Sequence, residues 1–132
     1  MYKVLAIFIL MSLIAGCSTP YQPKSGISGG YSEIQMDPIT VRVTFKGNGY
    51  TERGVVEGYL IYRAAEITVN NGFDWFIVTE REGEGEWHPQ YGNTGFTSTA
   101  VIKMYRGAKP ESLPRSYDAR LTMRTMAGTI KR

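Results

Sequence analysis

Thr51-Glu52-Arg53-Gly54-Val55-Val56-Glu57-Gly58-Tyr59-Leu60-Ile61-Tyr62-Arg63-Ala64-Ala65-Glu66-Ile67-Thr68-Val69-Asn70 is the stretch that decides the fold. Val56, Leu60, Ala64 and Ile67 recur at spacings of four, four and three. That spacing places one apolar stripe along an amphipathic helix. Thr51 is the expected N-cap, because its hydroxyl can accept an otherwise orphan backbone N–H. Glu52 in the first turn suits the helix dipole. Arg53 and Glu57 are placed to pair one turn apart. Asn71-Gly72 marks the stop.

Upstream, Thr40 to Lys46 alternates Val41, Val43 and Phe45 with Arg42, Thr44 and Lys46. This is the period of a half-buried strand, with Arg42 pointing outward. Gly47-Asn48-Gly49 ends it with residues that tolerate positive φ. Tyr31 to Met36 reads as a short extended piece. Downstream, Phe73 to Glu80 is a strand by its aromatic and β-branched content. Its alternation is imperfect: Phe73, Trp75 and Ile77 share one face, Phe76 and Val78 the other. Thr97 to Tyr105 is a further strand, with Ala100, Ile102 and Met104 inward. Between these two, Arg81 to Phe96 is rich in Gly and Glu and reads as a long hairpin loop, mobile at its tip. Pro110 and Pro114 bracket a polar turn. Asp118 is placed to cap a short last helix ending near Met126.

The expected fold class is α+β in two layers, with one long helix packed on a small, mostly antiparallel sheet. The element order is strand, helix, strand, strand and a short C-terminal helix. A right-handed crossover would make the first strand and the strand after the helix parallel neighbours. No internal repeat is visible.

The start of the chain carries a different signal. Lys3 supplies a positive charge, Val4 to Ile14 is apolar except for Ser12, and Ala15 and Gly16 are small. Charged start, short apolar run and small-residue cleavage site make a secretory signal. The run has eleven residues, whereas a membrane-spanning helix needs roughly 20. Leu13-Ile14-Ala15-Gly16-Cys17 resembles the lipobox of bacterial lipoproteins, with Ile14 where leucine is commoner. The resemblance implies a diacylglyceryl group on the Cys17 sulfur and cleavage between Gly16 and Cys17, with acylation of the new amine. Cys17 is the only cysteine, so no internal disulfide forms, and lipidation accounts for an otherwise unpaired exported thiol. Two or more acyl chains anchor a protein stably where a single one binds marginally. Ser18 rather than aspartate follows the cysteine. By the sorting rule of the lipoprotein class, that favours the outer membrane, facing the periplasm, with the inner membrane as the alternative.

Three segments follow: a signal peptide over residues 1–16, a lipidated cysteine with a flexible tether over 17–30, and a periplasmic α+β domain over 31–132. The tether assignment rests on the Pro, Gly and Ser content of Ser18 to Gly30. Fully extended, those residues reach about 45 Å. The whole chain has 132 residues with fifteen Lys and Arg. Loss of residues 1–16 removes Lys3 and leaves 116 residues, with fourteen basic against twelve acidic side chains. The resulting charge of +2 is too weak to imply a nucleic-acid partner. Glu80, Glu82, Glu84 and Glu86 cluster, and Lys109, Arg115, Arg120, Arg124, Lys131 and Arg132 lie in the last quarter. Two solvated faces are the plain reading, and a basic tail meeting anionic headgroups or an acidic partner is the sharper one.

Several stretches together resemble an uncharacterised family of small proteobacterial lipoproteins. They are Cys17-Ser18-Thr19-Pro20-Tyr21-Gln22-Pro23, Gly30-Tyr31-Ser32-Glu33, Phe45-Lys46-Gly47-Asn48, Tyr59-Leu60-Ile61-Tyr62-Arg63-Ala64-Ala65-Glu66, Gly72-Phe73-Asp74-Trp75-Phe76 and Tyr117-Asp118-Ala119. The likeness keeps its order over most of the mature chain and implies an envelope lipoprotein. It brings no catalytic or ligand residues, and Glu82 to Thr94 lies outside it.

Catalytic constellations are thin. His88, the only histidine, sits in Trp87-His88-Pro89 without a G-x-S-x-G elbow. The sole thiol is the lipid site. Glu82, Glu84 and Glu86 alternate with Gly and Trp, which would hold no rigid glycosidase pair. Joined by His88, they have no ligand spacing for a metal. Arg63 and Glu66, flanked by Tyr59 and Tyr62, read as helix-edge groups bonding the ends of the sheet, the alternative being a buried charge pair that marks a site or a specificity lock. The expectation is a non-enzymatic module without cofactor or metal. It would meet the membrane through its lipid and an envelope protein through a surface containing Arg42, Phe76, Val78 and Trp87. The patch rests on Phe76 and Val78 being exposed if the helix covers the opposite sheet face. The alternative is a small-ligand binder, for an envelope fragment or lipid, using Trp87, Tyr91 and Phe96. A hydrolase using His88 or paired carboxylates ranks last.

Overall fold

A computed structural model describes residues 18–88 and 92–132 of the chain. Five strands form one antiparallel sheet: β1 (Gly30–Asp37), β2 (Thr40–Lys46), β3 (Trp75–His88), β4 (Gly92–Tyr105) and β5 (Ser116–Asp118), in the spatial order β1-β2-β4-β3-β5. Two helices, α1 (Arg53–Asn70) and α2 (Ala119–Met126), complete the described domain. Both pack on the same face of the sheet, α1 across β2, β4 and β3. The α+β two-layer class expected from the sequence is what forms, with a larger sheet.

The core is the meeting of two periodicities. Val56, Leu60 and Ala64 have no solvent exposure, and Ile67 has 5%. They meet Val41, Val43 and Phe45 of β2 and Ala100, Ile102 and Met104 of β4, all buried. Asp118 caps α2 as its sequence position suggests, its carboxylate accepting from the Leu121 N–H at 2.9 Å. Asn71-Gly72 ends α1, with Gly72 at φ +79.

Several expectations fail, each for an identifiable reason. Thr51 does not cap α1; Glu52 takes the N-cap position without a side-chain bond. The Thr51 hydroxyl instead accepts from the Thr19 N–H at 2.7 Å and donates to Asn48 Oδ1 at 2.9 Å. The first strand and the strand after the helix are not neighbours, because β4 pairs antiparallel with both and lies between them. The extended piece expected over Tyr31 to Met36 does form, as part of a full eight-residue strand paired along β2.

The described residues of Arg81 to Phe96 are strand rather than loop. β3 continues to His88 and β4 begins at Gly92, with pairs from Arg81↔Ala100 through Gly85↔Phe96 to His88↔Gly92. A bulge at Thr79 shifts the register, so that Glu80, Glu82 and Glu84 fall on the uncovered face and Gly83 and Gly85 on the helix face. Gly83 has a steric reason to be there. A Cβ on Gly83 would stand 2.7 Å from Phe96 Cζ, so bare backbone leaves room for that buried ring.

The segment expected to be a flexible tether is also built into the domain. Thr19 and Tyr21 are each only 2% exposed. The Tyr21 N–H donates to the Lys131 carbonyl at 2.6 Å, and Tyr31 N–H donates to the Gln22 carbonyl at 2.8 Å. Among the described residues, the ordered unit therefore begins at Thr19 rather than at Tyr31. Cys17 and Gly16 lie outside the described residues, as does the whole signal segment.

Candidate interaction surface

Both helices lie on one face of the sheet, and among the described residues no helix covers the other. Arg42 and Thr44 present there from β2, Thr99, Val101 and Tyr105 from β4, and Trp75, Glu80 and Glu82 from β3. Period-2 alternation puts them there, since their immediate neighbours along each strand face the helices. Thr44 and Thr99 are hydrogen-bonded across the strands at 3.0 Å. Trp75 stacks on Tyr105 with ring centroids 4.6 Å apart and planes 23° from parallel. Between these groups lies a concavity of 280 Å³, lined by Arg42, Thr44, Glu80, Arg81, Glu82, Thr99 and Val101.

The residues named from the sequence separate in space. Arg42 is exposed, with no ion pair described for it, on this open face. Phe76 and Val78 are not on it: they are 0% and 4% exposed, beneath the helices. Phe76 stacks on Tyr117 of β5, centroids 5.1 Å apart. The proposed apolar patch of Phe76 and Val78 is thus overturned. The helices cover the Phe76 face, and Trp75 and Ile77 turn outward. The Trp87 backbone pairs opposite Asn93 near the end of the β3–β4 hairpin; its side chain, that of His88 and all of Tyr91 lie outside what is described. Phe96 is buried, under the Arg53 guanidinium at 4.6 Å, and is not available to a ligand. Glu82 and Glu84 are exposed on the open side.

Arg63 and Glu66 have a role that the helix alone does not reveal. Arg63 Nη2 reaches Glu33 Oε1 of β1 at 2.6 Å and Nη1 reaches Glu66 Oε1 at 3.5 Å, while the guanidinium lies 4.1 Å from the Tyr31 ring centroid. The Tyr21 hydroxyl donates to Glu66 Oε1. Tyr21 sits at the centre of an aromatic cluster with Tyr31, Tyr59 and Tyr62, at centroid distances of 4.9, 5.5 and 5.2 Å. Burial raises the Glu66 carboxyl above its ordinary pKa, against the opposing pull of Arg132. The group is a clamp on the segment from Thr19 to Gly30. Sequence spacing could not show it, because the partners lie 45 residues apart. Asp74 is the corresponding tie at the other end. The Gly107 N–H and Arg120 bind its carboxylate at 2.7 and 2.8 Å and hold its pKa low.

Among the described residues, no group of three or more His, Cys, Asp or Glu is placed to hold a metal ion. No described helix is long and apolar enough to cross a membrane. No protein-family model, curated protein or solved structure matches this chain.

Proposed function

We propose that the protein is a lipid-anchored envelope lipoprotein, kin to the small proteobacterial lipoproteins it resembles, that works as a non-catalytic protein-interaction module. The observation carrying the interaction reading is the one-sided layering: both helices cover one sheet face and leave a polar face with an aromatic pair. Its mixture of an exposed Arg, flanking carboxylates and a stacked Trp–Tyr pair has the composition of a recognition surface, where Trp, Tyr and Arg are enriched. The anchor reading is supported by Leu13-Ile14-Ala15-Gly16-Cys17 at the end of an export segment. Ser18 supports the periplasmic side of the outer membrane as the destination.

In-cell photo-crosslinking from probes at Arg42 and Lys103, both exposed on the open face, tests the interaction reading. The same protein adduct from both sites, and none from a probe at exposed Asn70, is the expected result. No face-specific adduct would refute it. The concavity beside Arg42 favours one second reading, a binder of a small polar ligand such as an envelope fragment. Its 280 Å³ sits at the lower edge of ligand sites, which run from about 300 Å³ upward. Saturable binding of a fragment, lost in Arg42→Ala, would favour that reading over the first. Replacing Cys17 with Ala is expected to abolish labelling by a fatty-acid analogue and to block cleavage of the signal. Continued labelling would place the lipid elsewhere.

A further inference from the structure

We propose that the end of the domain carrying Thr19, Tyr50 and the first turn of α1 lies directly against a phospholipid surface. The inference rests on lipidation of Cys17 and adds what that reading alone does not contain, an orientation. Thr19 is locked in place. Its N–H donates to Thr51 Oγ1 at 2.7 Å, its hydroxyl donates to the Ser28 carbonyl at 2.7 Å, and the Asn48 N–H donates to that hydroxyl at 2.8 Å. Only Ser18 separates it from Cys17. Two residues of chain span at most about 7 Å. The acyl chains therefore begin within that reach of Thr19, which is itself bonded to the Asn48–Thr51 loop, not at the end of a long leash.

The surface around this exit suits the headgroup layer. Tyr50 is 70% exposed and Val55 36%. A tyrosine offers an apolar ring with a polar tip, the combination enriched where membrane meets water. Arg53, beside them, has a side chain 70% exposed. A largely apolar groove of 330 Å³ runs between the first turns of α1 and the end of α2, lined by Val55, Gly58, Tyr59 and Met126, with Glu52 and Thr129 at its polar edge. The β3–β4 hairpin points to the same end. β4 pairs with Lys46 at Thr97 and extends five residues further, to Gly92, roughly 16 Å at strand rise. The opposite end of the sheet carries the β1–β2 turn and Met36, which is 52% exposed. It stands about 20 Å away along the strands. In this orientation the far end and the uncovered sheet face stay in water, open to a protein partner.

The test uses the full chain, lipidated in cells, purified and reconstituted into vesicles of phosphatidylethanolamine and phosphatidylglycerol. Tyr50→Cys and Met36→Cys each supply a free thiol for an environment-sensitive fluorophore, because the Cys17 sulfur is consumed by its lipid. Both positions are exposed, so neither substitution threatens folding. A nitroxide carried at headgroup depth is expected to quench the label at 50 several-fold more strongly than the label at 36. Equal quenching at the two sites, on protein whose mass includes the acyl chains, would overturn the orientation while leaving the anchor intact. A mass without acyl chains would overturn the anchor and the orientation together.

Discussion

Tyr21→Ala separates a docked N-terminal segment from a tether more sharply than any other single change. Tyr21 is 2% exposed and touches three other tyrosines and Glu66. A buried tyrosine removes roughly 150–200 Å² from water, which at about 25 cal/mol/Å² gives an upper bound of about 4–5 kcal/mol. Its hydrogen bond adds about 1 kcal/mol. The loss is capped from the other side. Once the ring is gone the segment can detach, and each freed residue regains about 1–2 kcal/mol of conformational entropy. The net expectation is a loss of about 3 kcal/mol, within the range known for burying an aromatic ring and truncating it. For a domain this size, with a urea m-value of about 1–1.5 kcal/mol/M, the unfolding midpoint should fall by about 2 M. The assay is urea unfolding followed by tryptophan fluorescence, on a chain beginning at Ser18. Tyr21→Phe keeps the ring and should lose only about 1 kcal/mol. A Tyr21→Ala midpoint corresponding to less than about 0.5 kcal/mol, the usual effect of a surface substitution, would refute the docked segment.

Three further outcomes follow from the same structure. Phe76→Ala should cost about 3–5 kcal/mol in the same assay, because the ring is fully buried against Tyr117; Ile34→Ala, 62% exposed, should cost under about 0.5 kcal/mol. A similar small effect for Phe76 would return it to the surface. Gly95→Ala should destabilise by at least about 1–3 kcal/mol, because Gly95 sits at φ +123 with the Gly47 carbonyl where a Cβ would go. An unchanged midpoint would mean that the β4 extension is not formed. Glu66→Gln keeps an acceptor for Tyr21 and removes a desolvated charge. Because the folded pKa lies above the unfolded one, the native state holds this proton more tightly. That contribution is complete below the ordinary glutamate pKa and is lost as pH rises through the folded value. The variant should therefore gain on the parent protein between pH 4 and pH 7. Asp37 and Asp74, whose pKa values are lowered, act in the opposite sense but are common to both proteins and cancel in the difference. Parallel pH profiles would remove the burial argument.

The interaction surface was only half legible. Arg42 was, because clean alternation in Thr40 to Lys46 assigns faces without reference to anything else. Phe76 and Val78 were not. Both faces of Phe73 to Val78 carry large apolar residues, and which of them meets α1 depends on the register with β4 and on β5 covering Phe76 through Tyr117. Glu80 to Gly85 held a signal that composition obscured. Gly and Glu are poor strand formers, so the stretch looks like a loop. Yet Glu80, Glu82 and Glu84 alternate with Arg81, Gly83 and Gly85 at the strand period, with Glu on the watered face and Gly83 beneath a ring.

By itself the sequence determined the α+β class, the end of α1 at Asn71-Gly72, the stripe Val56-Leu60-Ala64-Ile67, the inward row Ala100-Ile102-Met104 and the Asp118 cap. Each is a local periodicity or a local hydrogen bond, so its physics lies within a few residues. The tertiary structure alone decided the strand order, the burial of Phe76 and the docking of Thr19 to Gly30. Those depend on partners distant in sequence, Thr51 for Thr19, Glu66 for Tyr21, and β4 inserted between β2 and β3. A Pro- and Gly-rich stretch has little apolar surface of its own, and its order comes from a cavity that other elements must first assemble.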